Sequence, residues 1–359
     1  MIPKELISDI KESELTVSLV NGADISVVGM DKPERVEGRP LDFILLDEYA
    51  DMKPNAWSEN VRPALSTIGR PGRAIFTGVP AGRNHYYRLA LEAQNPEKAQ
   101  DWDYFHWTSA EILDAEEIRS AKETLDPLTY EQEYEASFLN FEGRAYYSFK
   151  RDIHARETLQ RYYNRNTPLV FAFDFNVSPG VAAVIQDFVH PVHGDVTGVI
   201  DQVWVPNNSN SEIVAKKLIE LYGSHAGEIH VYGDATGGAR GTAKVEGSDW
   251  DIIRGIMRPH YGDRYSSRVP RQNPPERVRV NSVNARLKTA DDKIHLLVCP
   301  VKAPKVVEDF EGTTLIAGGS GELDKKADAE RTHISDAVGY FVVAKHPMGG
   351  GGTIVTETY

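Results

Sequence analysis

Three aspartates stand where carboxylates can converge. Asp174 follows the apolar run Leu169–Phe173, and Asp234 follows Ile229–Tyr232 within Gly233-Asp234-Ala235-Thr236-Gly237. Asp336 falls in the first turn of a helical pattern, His333-Ile334-Ser335-Asp336-Ala337. Taken singly, each reads as a turn or capping residue, and Asp336 as part of a solvated helix face favoured by the helix dipole. The order strand acid, strand acid, helix acid gives the joint reading. Carboxylates brought within a few ångströms repel and raise one another's pKa. Two magnesium or manganese ions relieve that repulsion. Held ~3.5–4 Å apart, they activate water on one side of a phosphodiester and stabilise the leaving oxygen on the other. Hard oxygen ligands suit these ions over zinc. Asn176, His333, and the loop acids Asp324 and Asp328 are secondary candidates; His333 also reads as a polar helix-start residue.

A second acidic constellation lies upstream. Phe43-Ile44-Leu45-Leu46 runs into Asp47-Glu48. In a nucleotide-hydrolysing site such a strand carries one carboxylate to magnesium and the next to the attacking water. Thr77 ends another short strand before Gly78-Val79-Pro80, where a hydroxyl can sense nucleotide state. The alternatives are a strand followed by an acidic turn, and a strand closed by a Gly/Pro turn. No G-x-x-x-x-G-K-[ST] phosphate loop occurs in the chain, so this is half of an ATP site. Further on, Arg254, Arg258, Arg264, Arg268, Arg271, Arg277, Arg279, Arg286 and Lys288 are opposed within their own stretch only by Asp263 and Glu276. Such a stretch neutralises phosphates or forms a solvated loop.

The elements that must position these residues follow from periodicity. Leu15–Val20 and Ile25–Val28 flank Asn21-Gly22, a hairpin turn. Phe43–Leu46 reads as a fully buried strand of a parallel sheet, Ala56–Leu65 as a helix and Ala74–Thr77 as a strand. Tyr104–Trp107 reads as a strand, followed by helices near Ala115–Thr124 and Leu128–Phe138, with Pro127 at the start of the second. A second α/β section has strands at Leu169–Phe173, Val181–Gln186, Val199–Val205, Ile229–Tyr232 and Ile294–Val298. Its helices fall at Ser211–Leu221, Val278–Thr289 and His333–Ala344, the last capped by Thr332. Trp102 and Trp107 read as core or interdomain packing, and Cys299 as a buried small hydrophobe.

Bulk properties narrow the classes. With 41% hydrophobic and 26% charged residues, the chain is an ordinary globular protein. No apolar stretch approaches the ~20 residues of a membrane span, and the N-terminus has no secretory apolar core. A single cysteine excludes an internal disulfide framework and a multi-cysteine zinc site. The net charge of -13 weighs against a general nucleic-acid coat and leaves room only for a local basic patch.

Read in order, the motifs resemble those of the large terminase subunit of tailed bacteriophages. Arg35-Val36-Glu37-Gly38 through Phe43–Ala50 resembles the family's Walker B region, and Thr77-Gly78-Val79-Pro80-Ala81-Gly82-Arg83-Asn84 its coupling motif, with Gly-Val inserted where relatives often carry Thr-Pro. Asp174-Phe175-Asn176, Gly233-Asp234-Ala235 and His333–Tyr340 resemble its three nuclease motifs. The resemblance implies an α/β chain: an incomplete P-loop ATPase portion (1–145), a linker (146–167), an RNase H-like nuclease domain (168–346) and a flexible tail (347–359). It implies a two-metal endonuclease cleaving concatemeric double-stranded DNA through Asp174, Asp234 and Asp336, with Mg2+ or Mn2+ as the two ions. The basic arginines from Arg254 to Arg279 would hold the duplex. Asp47, Glu48 and Thr77 would be an ATPase remnant, binding ATP only if a missing N-terminal part is supplied. Portal protein and a small terminase subunit are the implied partners, no membrane is involved, and the host cytoplasm is the implied location. An active packaging motor and a docking module without its own catalysis are the alternatives.

Overall fold

The computed structural model describes residues 2–82, 84–138, 143–175, 179–235, 248–316, 322–326 and 331–348. The chain divides into two compact units, Met1–Tyr104 and Phe105–Tyr359. Asn176, Asp328 and the tail beyond Met348 lie outside the described residues.

The first unit opens with an antiparallel meander, β1 (Ile7–Lys11), β2 (Thr16–Leu19) and β3 (Asp24–Ser26). The β2–β3 turn is the expected Asn21-Gly22 hairpin, with Gly22 at φ 83°. Next come β4 (Phe43–Leu46), a π-turn at Ala56–Val61 that runs into α1 (Arg62–Ala64), the small ladder β5 (Ser66–Thr67) with β6 (Arg70–Pro71), β7 (Arg73–Phe76) and α2 (His85–Ala93). β4 and β7 pair in parallel, Leu46 beside Phe76. The expectation that β4 is buried on both faces does not hold. A strand alternates its side chains: Ile44 and Leu46 face a cluster with Tyr49, Val61 and Leu65, while Phe43 and Leu45 are 56% and 53% exposed. Trp102 packs beside Phe76 as expected, but Trp107 is exposed.

The second unit begins without the strand expected at Tyr104–Trp107; that segment belongs to no sheet. α3 (Ala115–Thr124) and α4 (Pro127–Glu133) follow, then α5 (Arg151–His154). The break between units therefore falls upstream of the 146–167 stretch expected to separate domains. The reason is packing. Ala290 joins the Ala121–Leu125–Tyr130 cluster, and the Ala290 and Asp291 amides donate to the carbonyls of Leu125 and Lys122 at 2.8 and 3.2 Å.

The core of this unit is a six-stranded sheet. Its strands are β8 (Leu169–Asp174), β9 (Gly180–His190), β10 (Gly194–Val205), β11 (Ile229–Gly233), β12 (Tyr265–Ser267) and β13 (Leu296–Val298), in spatial order β12-β11-β8-β9-β10-β13. β9 runs antiparallel to β8 and β10; the other pairings are parallel. Helices α6 (Ser211–Tyr222) and α7 (Asp249–Tyr261) cover one face, and α8 (Glu276–Leu287), α9 (Pro304–Gly312) and α10 (His333–Lys345) the other. α6 starts where expected, with Asn210 Oδ1 accepting from the Ile213 amide.

Parity along β8 decides the site. Leu169, Phe171 and Phe173 point toward α6 and α7, while Val170 and Ala172 point toward α10. Asp174, two residues beyond Ala172, continues on the α10 side. In β11 Ile229 and Val231 face α7 and Tyr232 faces α10, so Asp234 is delivered to the same side. Truncating a fully buried aromatic such as Phe171 or Phe341 would cost ~3–5 kcal/mol. The strand ends are thus held by a rigid double-sided core.

Candidate functional site

Asp174 and Asp234 sit at the carboxyl ends of adjacent parallel strands, where Gly233 pairs with Phe173. A Cβ at Gly233 would lie 2.5 Å from the Phe173 carbonyl and 3.0 Å from the Trp250 ring, so only glycine allows this approach. Trp250 Nε1 donates to the Asp234 carbonyl at 2.9 Å. Asn273 completes the clamp: its Nδ2 donates to Asp234 Oδ1 at 2.6 Å, and its Oδ1 accepts from the Ala235 amide at 2.8 Å. Sequence spacing carries no sign of Asn273, which lies 39 residues downstream of Asp234.

The third aspartate arrives on α10. The apolar stripe there predicts a solvated Asp336, yet the helix is buried from Ile334 to Val343, and Asp336 is 5% exposed. The face lying off the stripe is turned inward to the strand ends. Nor does Thr332 cap this helix with its side chain; it sits at φ 77° without such a bond. Asp309 from α9 serves instead, its Oδ2 accepting from the Ser335 amide at 3.1 Å.

Charge couples the three acids. His333 Nδ1 lies 3.2 Å from Asp174 Oδ2. The pKa of Asp174 is raised, first by burial, against the lowering effect of the His333 hydrogen bond, and further by the charges of Asp336 and Asp234. Tyr340, one turn after Asp336, senses the same field. Burial raises its pKa, Arg279 opposes, and Asp234, Asp174 and Asp336 each raise it further. Asp336 Oδ1 is bound by Arg279 Nη2 at 2.8 Å, and its Oδ2 faces Lys325 Nζ at 3.3 Å. Lys325 also meets Glu276 Oε2 at 2.7 Å. Among the described residues, no three His, Cys, Asp or Glu side chains form a ready metal cage. The donor chemistry nonetheless fits hard divalent ions: clustered carboxylate oxygens, balanced here by the protein's own Arg279 and Lys325.

The basic stretch does not act as one patch. Arg254 and Arg258 are exposed on α7, Arg254 3.5 Å from Asp251. Arg271 is exposed and Arg277 half-buried. Arg264 Nη1 donates to the carbonyls of His225 and Gly227, and its guanidinium lies over the Tyr261 ring. Arg268 Nη2 lies 3.0 Å from His230 Nε2. Arg279, expected on a DNA surface, is 5% exposed and stacks on Tyr340 with its guanidinium carbon 4.6 Å from the ring centre. Arg286, mostly buried, donates to Thr197 Oγ1 and the His295 carbonyl, both at 3.1 Å, and burial pulls its pKa down to about 10. Lys288 pairs with Asp292 at 2.6 Å.

In the first unit, Asp47 and Glu48 are exposed at the end of β4. Thr77 Oγ1 donates to Asp47 Oδ1 at 2.7 Å, joining the two residues that spacing singled out. Glu48 takes the left-handed conformation, φ 52°, as the chain turns into Tyr49. Behind it Asn84 caps α2 and donates to the Ala50 carbonyl at 3.0 Å.

The chain is similar to known phage proteins. No protein-family model matches it. It is 28% identical over 149 residues to the terminase large subunit of Escherichia phage T5, across 39% of this chain and 32% of that protein. It is 29% identical over 154 residues to that of Thermus phage G20c, across 39% of this chain and 30% of that protein. The matches thus span about a third of these relatives. The large terminase of a thermophilic bacteriophage, in complex with ADP, shares the fold at TM-score 0.57 and 13% identity, over 94% of this chain and 78% of that one. A second crystal form of that terminase matches at TM-score 0.56 and 14% identity, over 92% and 76%. The resemblance to phage terminase large subunits, read from the ordered motifs, is borne out in sequence and in fold.

Proposed function

We propose that this chain, a relative of phage terminase large subunits, is a metal-dependent endonuclease that cuts concatemeric double-stranded DNA during packaging. On this reading the six-stranded sheet with α10 is an RNase H-like nuclease fold. The observation that carries it is the placement of Asp174 and Asp234 at the carboxyl ends of the adjacent strands β8 and β11, with Asp336 buried on α10, which packs on the same side of the sheet. Asp174 and Asp234 would present oxygens from the strand ends, and Asp336 from α10. Two bound Mg2+ or Mn2+ ions would supply an activated water and charge stabilisation at the leaving oxygen. His333 holds Asp174 in orientation, Asn273 holds Asp234, and Arg279 fixes the outer edge of Asp336. Arg254 and Arg258, exposed on α7 of the same unit, would meet phosphates.

The test is cleavage of plasmid DNA with Mn2+ by the full chain and its Asp174→Ala, Asp234→Ala and Asp336→Ala variants. Each variant should fall to background, with folding checked in each because Asp336→Ala also strips the buried Arg279 of its carboxylate. Undiminished cutting by a folded variant removes that residue from the mechanism.

The Thr77–Asp47 hydrogen bond favours a second reading for the first unit, a nucleotide half-site in which Asp47 holds magnesium and Glu48 orients water. With no phosphate loop to cradle the phosphates, this chain alone should not turn over ATP. Hydrolysis that disappears in Glu48→Gln would overturn that expectation. Docking on a portal ring or a small terminase subunit is the alternative use of this chain.

A further inference from the structure

Oδ2 of Asp336 is the place where the proposed centre departs from a ready cation site. Oδ1 is committed, because Arg279 is buried and its path over α10 is set by Gly339, where a Cβ would lie 2.6 Å from Arg279 Cγ. Oδ2 is the oxygen left for a metal, and Lys325 Nζ stands 3.3 Å from it. The two cations differ in how firmly they are held. Arg279 has a 6% exposed side chain, whereas that of Lys325 is 48% exposed and ends a flexible chain. Lys325 has a second partner, Glu276 Oε2, and that contact is the shorter at 2.7 Å. Glu276 is itself anchored, its Oε1 accepting from the Leu323 amide at 2.8 Å. An ammonium so placed can give up Asp336 and keep Glu276.

We infer that Lys325 is a displaceable surrogate cation, neutralising Asp336 Oδ2 until a divalent ion takes its place, with Glu276 as the carboxylate that retains the ammonium afterwards. The inference rests on the proposed metal centre and adds the competition that governs its loading. An ammonium and a divalent ion at one carboxylate oxygen repel each other, so the Lys325–Asp336 pair and the metal compete for Oδ2. Removing the ammonium therefore favours the metal. Removing the Glu276 charge leaves Lys325 with Asp336 alone, and so disfavours it.

The experiment measures Mn2+ binding to the full chain by the paramagnetic resonance signal of free Mn2+, without DNA or turnover. Lys325→Met should tighten binding roughly two- to fivefold, the range expected for losing one partly exposed competing ion pair. Glu276→Gln, which keeps the acceptor for Leu323, should weaken it by a similar factor. Opposite shifts from two neighbouring substitutions are not what general loosening produces. Unchanged affinity in folded Lys325→Met, or the same direction of change in both variants, overturns the inference. Asp174→Ala and Asp336→Ala separate the two levels. If they leave Mn2+ binding intact, or if the wild-type chain binds none, the metal centre itself fails and the inference with it. If they abolish binding while Lys325→Met matches the wild type, only the role of Lys325 fails.

Discussion

Arg279 Nη2 lies 2.8 Å from Asp336 Oδ1 with both side chains under a tenth exposed, so solvent does little to screen either charge. Two long helices, α8 and α10, are joined at that point. A buried pair is a weak source of net stability but a costly thing to break, because the surviving charge is left in a poor dielectric. Arg279→Met should therefore destabilise the second unit by about 3–5 kcal/mol in urea titrations. The double substitution Arg279→Met with Asp336→Leu should recover most of that loss. A double variant as unstable as the single one would show that packing over Tyr340, not charge, is what Arg279 supplies.

Gly339 should be intolerant for a related reason. An alanine there would put its Cβ 2.6 Å from Arg279 Cγ and 3.1 Å from its Cδ. The clash meets the middle of a buried side chain, not its free end. Gly339→Ala should cost about 1–3 kcal/mol, in spite of the better helix propensity of alanine. A more stable alanine variant, read by thermal unfolding, would mean that the guanidinium has room to move.

The sequence predicts β8, β11, α3 and α6 to within a residue or so, because unbroken apolar runs and sharp capping signals leave little choice. It shows less where partners are distant. α7 escapes a sequence reading although Trp250, Ile253, Met257 and Tyr261 recur at helical spacing, because the arginines between them read as a charge run. Phe43–Leu46 has the composition of a doubly buried strand, but burial depends on neighbours that a local pattern does not contain. The identity and order of the three aspartates are legible; Asn273, Glu276 and Lys325 are not, since only tertiary folding sets them beside Asp234 and Asp336.

The arginines should separate into two classes when substituted. Arg254 and Arg258 are exposed on α7, whereas Arg264 and Arg268 bind the chain's own carbonyls and His230. If the proposed DNA contact is made by the first pair, Arg254→Ala with Arg258→Ala should lower the slope of log K against log salt by about 2, close to one per lost phosphate contact. Arg264→Ala should leave the slope unchanged and lower the unfolding midpoint instead. An unaltered slope in the α7 double variant places the duplex on another face.

Asp126 provides a pH signature far from the proposed centre. It caps α4, with Oδ1 accepting from the Thr129 amide at 3.0 Å, while its Oδ2 is buried without a hydrogen-bond partner. Burial pushes its pKa up to about 6, against the lowering effect of the Thr129 and Leu128 bonds. In the unfolded chain the same carboxyl titrates near ~3.9. Between those values the folded state holds a proton that the unfolded state has released. Stability from this group therefore falls as pH rises from about 4 to about 6 and stays reduced above, by up to about 3 kcal/mol. Asp309, also pushed up to about 6 by burial, contributes in the same sense and is retained in both proteins compared. Asp126→Asn keeps an acceptor for the cap but cannot titrate. Subtracting its urea-unfolding free energies from those of the wild type at pH 4, 5, 6 and 7 should give a difference that declines across the window and is flat beyond it. A difference independent of pH would mean that the Asp126 carboxylate is ionised in the folded protein throughout, with solvent reaching Oδ2.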